Sequence, residues 1–233
     1  MITLFQFATS PFAQKVRRAL AYKGLAYRIE EVVRADVAGG RYAHVSPTGK
    51  FPAILTGGGT AVWDSTDIVR YLDEIAPERP LVPRAPRDAA LAHVFEDWAD
   101  ESLYFYEMTM RLAWPHNLDG PALDEFAATM PGIPRDQLKQ GLLDGVGALV
   151  KAQGLGRKPA ERVVEDARRH FMALDAWLDG RDWLVGDQLT VADLATCAQV
   201  SALLYAQELR EIARWAPNVR PWLDRIDAVA PDR

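Results

Sequence analysis

Residues 2–33, ITLFQFATSPFAQKVRRALAYKGLAYRIEEVV, decide the fold. Ile2 to Phe7 alternates weakly and is rich in β-branched and aromatic side chains, the composition of a strand. Ser10-Pro11 then opens a stretch in which Phe12, Val16 and Leu20 recur every fourth residue, the period of a helix buried on one face. Lys15, Arg17 and Arg18 fall off that stripe, and Gly24 stands where a left-handed residue closes such a helix. Tyr27 to Val33 reads as a second strand, so the segment predicts a βαβ unit.

Downstream, Ala53 to Thr56 and Thr60 to Trp63 are short β-prone runs around Gly57-Gly58-Gly59, the pattern of a hairpin. Asp64-Ser65-Thr66-Asp67 supplies an N-cap and an acidic third helical position ahead of Ile68, Val69, Leu72 and Ile75, which mark one helical face. The first 76 residues therefore predict βαβ followed by ββα. Pro77, Pro80, Pro83 and Pro86 then punctuate an extended connection that no helix or central strand crosses. Beyond it only helical periodicity is found, over 88–113, 137–153, 161–178, 191–209 and 219–229. The predicted class is α/β plus all-α, with a first domain at 1–76, a linker at 77–87 and a helical domain at 88–233. The stretch 115–160 is rich in Gly and Pro, which predicts short or interrupted helices there.

The chain has 233 residues, 49% hydrophobic and 25% charged, the composition of an ordinary soluble protein. Its 32 Asp and Glu exceed its 27 Lys and Arg, giving a net charge of -5. That balance argues against nucleic acid or an anionic membrane as partner. Cys197 is the only cysteine, so an intrachain disulfide, a CxxC pair and a thiolate metal cluster are excluded. A reducing compartment, the cytoplasm, is expected, with no signal peptide and no membrane span. His44, His93, His116 and His170 are scattered with no HxH or HExxH, and no metal site is predicted. Dinucleotide, P-loop and hydrolase-elbow motifs are absent. Trp98, Tyr104, Phe105, Tyr106 and Trp114 share one predicted helix and read first as core packing.

Four local matches add a resemblance. Ser10-Pro11-Phe12-Ala13-Gln14-Lys15-Val16-Arg17 resembles the SPFxxRVR start of serine-type plant glutathione transferases and the CPFAxR start of the omega class. Ser46-Pro47-Thr48-Gly49-Lys50-Phe51-Pro52 resembles the NPxxxVP segment ending in a cis-proline. Trp63-Asp64-Ser65 resembles the [EQ]S pair that holds the γ-glutamyl end of glutathione. Gly186-Asp187-Gln188-Leu189-Thr190-Val191-Ala192-Asp193 resembles the GDxxTxAD box of the helical domain. In order and spacing, the chain is similar to a soluble glutathione transferase over nearly its whole length. The family's architecture, a thioredoxin-like domain joined to a helical one, is the predicted arrangement.

The resemblance implies a detoxifying enzyme that conjugates glutathione, as co-substrate, to a small hydrophobic electrophile, and it implies a homodimer. It places thiolate stabilisation at Ser10 and glutathione contacts at Phe12, Lys50, Phe51, Pro52, Asp64 and Ser65. The second substrate is expected at Phe7, Tyr104, Met108 and Arg111, the last three sharing a helical face. A free thiol of pKa ~8.5 is a few per cent thiolate at neutral pH. Lowering that pKa by two units takes about 2.7 kcal/mol. A hydroxyl bond to a charged acceptor supplies roughly 1.5 to 3 kcal/mol, and a helix N-terminus about 0.3 to 1.

Each residue also has a plainer reading. Ser10 before Pro11 is how a helix begins, and Thr9 offers a rival hydroxyl. Asp64 and Ser65 form a capping pair, and Asp64 is one methylene shorter than the usual Glu or Gln. Lys50 is a loop lysine, Met108 and the aromatics suit a core, and Thr190 with Asp193 is a capping box that touches no ligand. A second family branch is also in view. Gln153-Gly154-Leu155-Gly156-Arg157, then Glu161-Arg162-Val163 and Leu174-Asp175-Ala176-Trp177-Leu178, resembles metaxin and Fax-like proteins, which implies a binding or adaptor role with little catalysis. A thiol-disulfide reductase would need cysteine where Ser10 stands.

Overall fold

The computed structural model describes residues 1–232. Strand β1 (Ile2–Gln6), wholly buried, is followed by helix α1 (Pro11–Lys23) and strand β2 (Tyr27–Glu31). β1 and β2 are parallel, with Leu4 opposite Ile29, and a parallel pair needs such a crossover. Pro11 sits at the start of α1, and Gly24 closes it at φ 66°, a left-handed position without penalty for glycine. After the short helix α2 (Arg34–Val37) come β3 (Ala53–Leu55), β4 (Ala61–Trp63) and α3 (Ser65–Ile75). Both hairpin strands are antiparallel, and the sheet runs β2-β1-β3-β4. Val16, Leu20, Ile68 and Leu72 from α1 and α3 meet Ile2, Leu4 and Ile54 on one face of the sheet. Phe5, Val32, Tyr42, Val45 and Phe51 form a separate cluster on the other.

The linker is fixed by more than its prolines. Asp73 accepts from the amides of Leu81 (2.9 Å) and Val82 (2.7 Å) and pairs with Lys23 at 2.7 Å. The Val191 amide donates to the Leu81 carbonyl at 2.9 Å, tying the linker to the second domain.

That domain is helical: α4 (Pro86–Asp97), α5 (Tyr104–Glu107), α6 (Pro115–Leu118), α7 (Pro121–Thr129), α8 (Arg135–Gln153), α9 (Ala160–Leu178), α10 (Val191–Leu203), α11 (Gln207–Ala213) and α12 (Val219–Val229). Between α4 and α5, and again after α5, the backbone widens into π-helical turns at Trp98–Leu103 and Met108–Leu112, making one rod over 86–112. α10 is apolar on nearly every face and forms the centre of the domain. Its start carries the capping box of Thr190 and Asp193, whose buried carboxylate also takes the Leu184 amide and the Trp222 indole, both at 2.9 Å.

Two sequence expectations change. Lys15, Arg17 and Arg18 are buried, because α1 packs against the sheet on one side and α10 on the other. Their charges are answered by acids from distant segments: Arg17 by Asp232 at 2.5 Å, and Arg18 by Asp227 at 2.7 Å. The helix expected over 191–209 is two, parted at Leu204 to Ala206, where Arg210 holds the carbonyls of Leu204 (3.1 Å) and Tyr205 (2.6 Å). Within 115–160, α6 and α7 are short as expected, and α8 takes the place of the helix expected over 137–153, running 19 residues through Gly141, Gly145 and Gly147. Each glycine there costs about 1 kcal/mol against alanine, which packing of Leu138, Val146 and Val150 offsets. Among the described residues no helix is long and apolar enough to cross a membrane.

Candidate functional site

A cavity of about 1010 Å³ opens between the sheet domain and the helical rod. Its first wall comes from three places in the sheet domain: the turn from β1 to α1, the loop ahead of β3, and the start of α3. Ser10 is the cap residue of α1, yet its hydroxyl makes no bond to the helix it precedes. Thr9 lines the same cavity. Phe51, in a cis peptide with Pro52, is held by edge contacts to Phe7 (5.6 Å) and Tyr42 (5.7 Å), and Ser46 fixes the loop through the Lys50 carbonyl at 2.6 Å. The exposed Lys50 lines the mouth, as does Arg34, whose guanidinium lies 3.8 Å over the Phe7 ring.

At the start of α3, Asp64 has φ 77°, the one non-glycine residue with positive φ among the described residues. Its carboxylate accepts the Thr66 amide at 2.9 Å, so the short side chain turns back on its own helix. A non-glycine residue held at such a positive φ costs on the order of 1 to 3 kcal/mol, and such residues cluster at binding sites.

Beneath this turn lies a buried ion cluster. Lys15, with no exposed surface, places its ammonium 2.6 Å from Glu96 and 2.7 Å from Asp100. It also reaches the hydroxyls of Ser65 (3.3 Å) and Thr66 (3.2 Å), and the Thr66 hydroxyl donates to Glu96 at 2.8 Å. One cation therefore answers two carboxylates in a low-dielectric setting. Burial, beyond the pull of Lys15, pushes the Asp100 carboxyl up to about 6. Asp64 adds repulsion from the cavity side, and both aspartates line the cavity. This end combines excess negative charge with a helix N-terminus, the complement of an α-amino acid's ammonium and carboxylate.

The opposite end is apolar. Met108 and Leu112 from the rod, Phe126 from α7, and Leu138, Leu142 and Val146 from α8 form a lobe, with Met130 and Ile133 at its rim. Phe12 packs edge-on against Tyr104 at 5.1 Å between the two ends. Burial holds the Tyr104 hydroxyl up to about 12, so it stays a neutral donor. Arg111 lines the cavity but is buried, bonded to Glu107 at 3.1 Å and Glu125 at 3.3 Å, and stacked 4.3 Å over Tyr205.

Thus the structure brings Ser10, Phe12, Lys50, Phe51, Pro52, Asp64, Ser65, Phe7, Tyr104, Met108 and Arg111 to one cavity. Sequence reasoning missed Arg34, Lys15, Glu96, Asp100 and Glu107. The aromatic group of the rod divides: Tyr104 and Phe105 line the cavity, whereas Trp98 and Tyr106 turn inward to His170 at 5.8 and 5.1 Å. Among the described residues no cluster of three or more His, Cys, Asp or Glu is arranged for a metal ion.

Residues 4–80 match the family model for the glutathione S-transferase N-terminal domain, and residues 144–228 the model for its C-terminal domain. The chain is similar to the isoprene-epoxide glutathione S-transferase of a Rhodococcus species, 27% identical over 93% of this chain and 91% of the relative. It is also similar to FtsZ-localized protein A of Caulobacter vibrioides, 25% identical over 87% of this chain and 77% of that protein. In fold it is similar to a glutathione S-transferase of Methylobacterium radiotolerans solved with glutathione sulfonate. That structure has a TM-score of 0.62 and 23% identity, over 97% of this chain and 90% of the other.

Proposed function

The chain belongs to the glutathione transferase superfamily, and on that premise we propose that it joins the glutathione thiol to a small hydrophobic electrophile. The observation that carries this reading is the cavity itself. It is charged and amino-acid-complementary at the start of α3, apolar at α7 and α8, and has the unspent Ser10 hydroxyl between the two domains. Its size stands at the top of the ~300 to 1,000 Å³ usual for small-molecule sites, which leaves room for two ligands.

In this reading the γ-glutamyl ammonium meets Asp64 and Asp100, and its carboxylate meets the start of α3 at Ser65. The Phe51 backbone serves the cysteinyl unit, and Lys50 with Arg34 faces the glycyl carboxylate. Ser10 donates its hydroxyl to the sulfur, and the N-terminus of α1 adds favourable potential. Together these supply roughly 2 to 4 kcal/mol of preference for thiolate, enough for a two-unit fall in thiol pKa. The electrophile then lies along Tyr104 and Met108 with its apolar body in the lobe. Cys197 takes no part: it is buried in α10, and burial pushes its thiol up to about 11.

Retention on immobilised glutathione, followed by conjugation assays against a panel of electrophiles, tests the proposal. Turnover that depends on glutathione is the expected result. The likeness to FtsZ-localized protein A favours a second reading, a binding protein that keeps the tripeptide pocket. Retention without turnover of any electrophile would select it.

A further inference from the structure

The inference rests on the transferase reading and concerns a gap in the wall of the apolar lobe. Gly141, in the second turn of α8, lines the cavity with Gln137, Leu138, Leu142 and Val146 of the same helix. Leu138 and Val146 are buried, whereas Gln137 and Gly141, one turn apart, are exposed. The helix thus presents its buried edge to the lobe and its exposed edge to the mouth. Nothing in the fold requires glycine at this position. Its φ lies outside the left-handed region, and a first side-chain carbon there would find, beyond its own stretch of helix, no heavy atom within 4 Å. At Gly156, by contrast, the same carbon would stand 2.7 Å from Val150 Cγ2. An alanine at 141 would also make the better helix. Gly145 and Gly147 share this freedom but lie outside the cavity lining, so at 141 alone of the three the missing side chain becomes cavity space.

The surroundings define what that space accepts. Leu138, Leu142 and Val146 line it from inside the lobe, and at the rim Met130 and the exposed Ile133 continue the apolar surface outward. The lobe therefore leads past an apolar rim to a gap one side chain wide, which suits an extended hydrocarbon chain. We infer that Gly141 is a specificity-determining residue, and that the second substrate is an electrophile bearing an unbranched alkyl chain whose far end passes the α8 backbone at this glycine. The reacting carbon stays near Ser10 and Tyr104, and the chain crosses the lobe behind it. A side chain at 141 would close the exit and limit the chain to the length of the lobe. Each methylene that the chain buries raises affinity about fourfold, so the exit acts on long chains and leaves short ones alone.

The probes are S-alkylglutathiones with unbranched chains from methyl to decyl, which hold the tripeptide and the chain in one molecule; calorimetry gives their dissociation constants. In the wild type, affinity is expected to rise about fourfold per methylene until the chain leaves the protein. Gly141→Leu, which fills the gap, is expected to end that rise at a shorter chain. It should lose about 10-fold or more in affinity for S-decylglutathione relative to S-methylglutathione. Gly147→Leu is expected to follow the wild type at every length. A rise that ends at the same length in Gly141→Leu and the wild type, a uniform loss at every length, or an equal deficit in Gly147→Leu overturns the inference. Wild-type affinity that is indifferent to chain length does so too. A wild-type protein that binds neither glutathione nor S-methylglutathione overturns the transferase reading itself, and the inference with it. If Gly141→Leu does not fold, Gly141→Ala, which is expected to raise the urea midpoint, must show a loss of about fourfold confined to the longest chains.

Discussion

Replacing Lys15 by Met tests the idea that a buried ion cluster supports the binding turn. The methionine fills most of the lysine stem, so cavity formation contributes little and the change is chiefly electrostatic. Removed are two charge-assisted bonds of 2.6 and 2.7 Å and weaker contacts to Ser65 and Thr66. What remains is Glu96 and Asp100 facing each other, both largely buried. Breaking such a pair costs about 3 to 5 kcal/mol, because the stranded charges keep their desolvation penalty. The loss must depend on pH. Asp100 has a folded pKa raised from 3.8 to about 6 even with Lys15 present, so its contribution is favourable below the unfolded value and is lost as pH rises through 6. Without the cation its carboxyl rises further, and the folded state binds a proton that the unfolded state has shed. Urea unfolding at pH 7.5 and pH 5 is the assay. The Lys15→Met deficit is expected near 3 to 5 kcal/mol at the higher pH and smaller by at least 1 kcal/mol at the lower. Adding Glu96→Gln and Asp100→Asn should recover most of it. A deficit below 1 kcal/mol, or one of equal size at both pH values, would refute the electrostatic account.

Ser10→Ala should lower conjugation rate far more than glutathione affinity, since the hydroxyl matters most when sulfur is charged; ultraviolet titration of bound thiolate should show its pKa rising. An unchanged pKa would shift the role to Thr9. Asp64→Ala and Asp100→Asn should each weaken glutathione binding by about 1 to 3 kcal/mol in calorimetry, and wild-type binding by both would remove the ammonium site from this end of the cavity. For the wild type, glutathione affinity should fall as pH drops through about 6, where Asp100 gains its proton, while thermal stability rises over the same interval. Asp100→Asn should flatten the binding profile, and a profile that keeps its inflection in that variant would assign the titration elsewhere.

Local chemistry made much of this fold legible in advance. The strand, capped helix and closing glycine of residues 2–33 reappear because each is set by neighbours within a few positions. The same holds for the hairpin around Gly57 to Gly59 and for the Thr190 and Asp193 box. What local pattern could not supply was the second environment of α1. Charges off an apolar stripe ordinarily face water, and only the arrival of α10 and the final residues makes Lys15, Arg17 and Arg18 interior groups. The missed site residues left a signal. Continuing the Tyr104, Met108 and Arg111 face backward by fours reaches Asp100 and Glu96, and a step of four from Arg111 gives Glu107. That row marks no site by itself, because nothing in the rod's sequence names the cation waiting on another helix. The helix expected over 137–153 is present as α8, its glycines tolerated once Leu138, Val146 and Val150 are packed.

The pairing of α1 with the far end of the chain also orders events during synthesis. Arg17 and Asp232 are separated by 215 residues, and Arg18 leans on Asp227 and the Ala230 carbonyl. At about 5 to 20 residues per second, roughly 10 to 40 s elapse between making the arginines and making their partners. Through that interval Arg17 and Arg18 of α1 lack their acidic partners. The ion pairs that clamp the helix carrying Ser10 to residues 227–232 form once those residues are made. A chain made only as far as residue 226 holds every residue lining the cavity but lacks the acids that pair with Arg17 and Arg18.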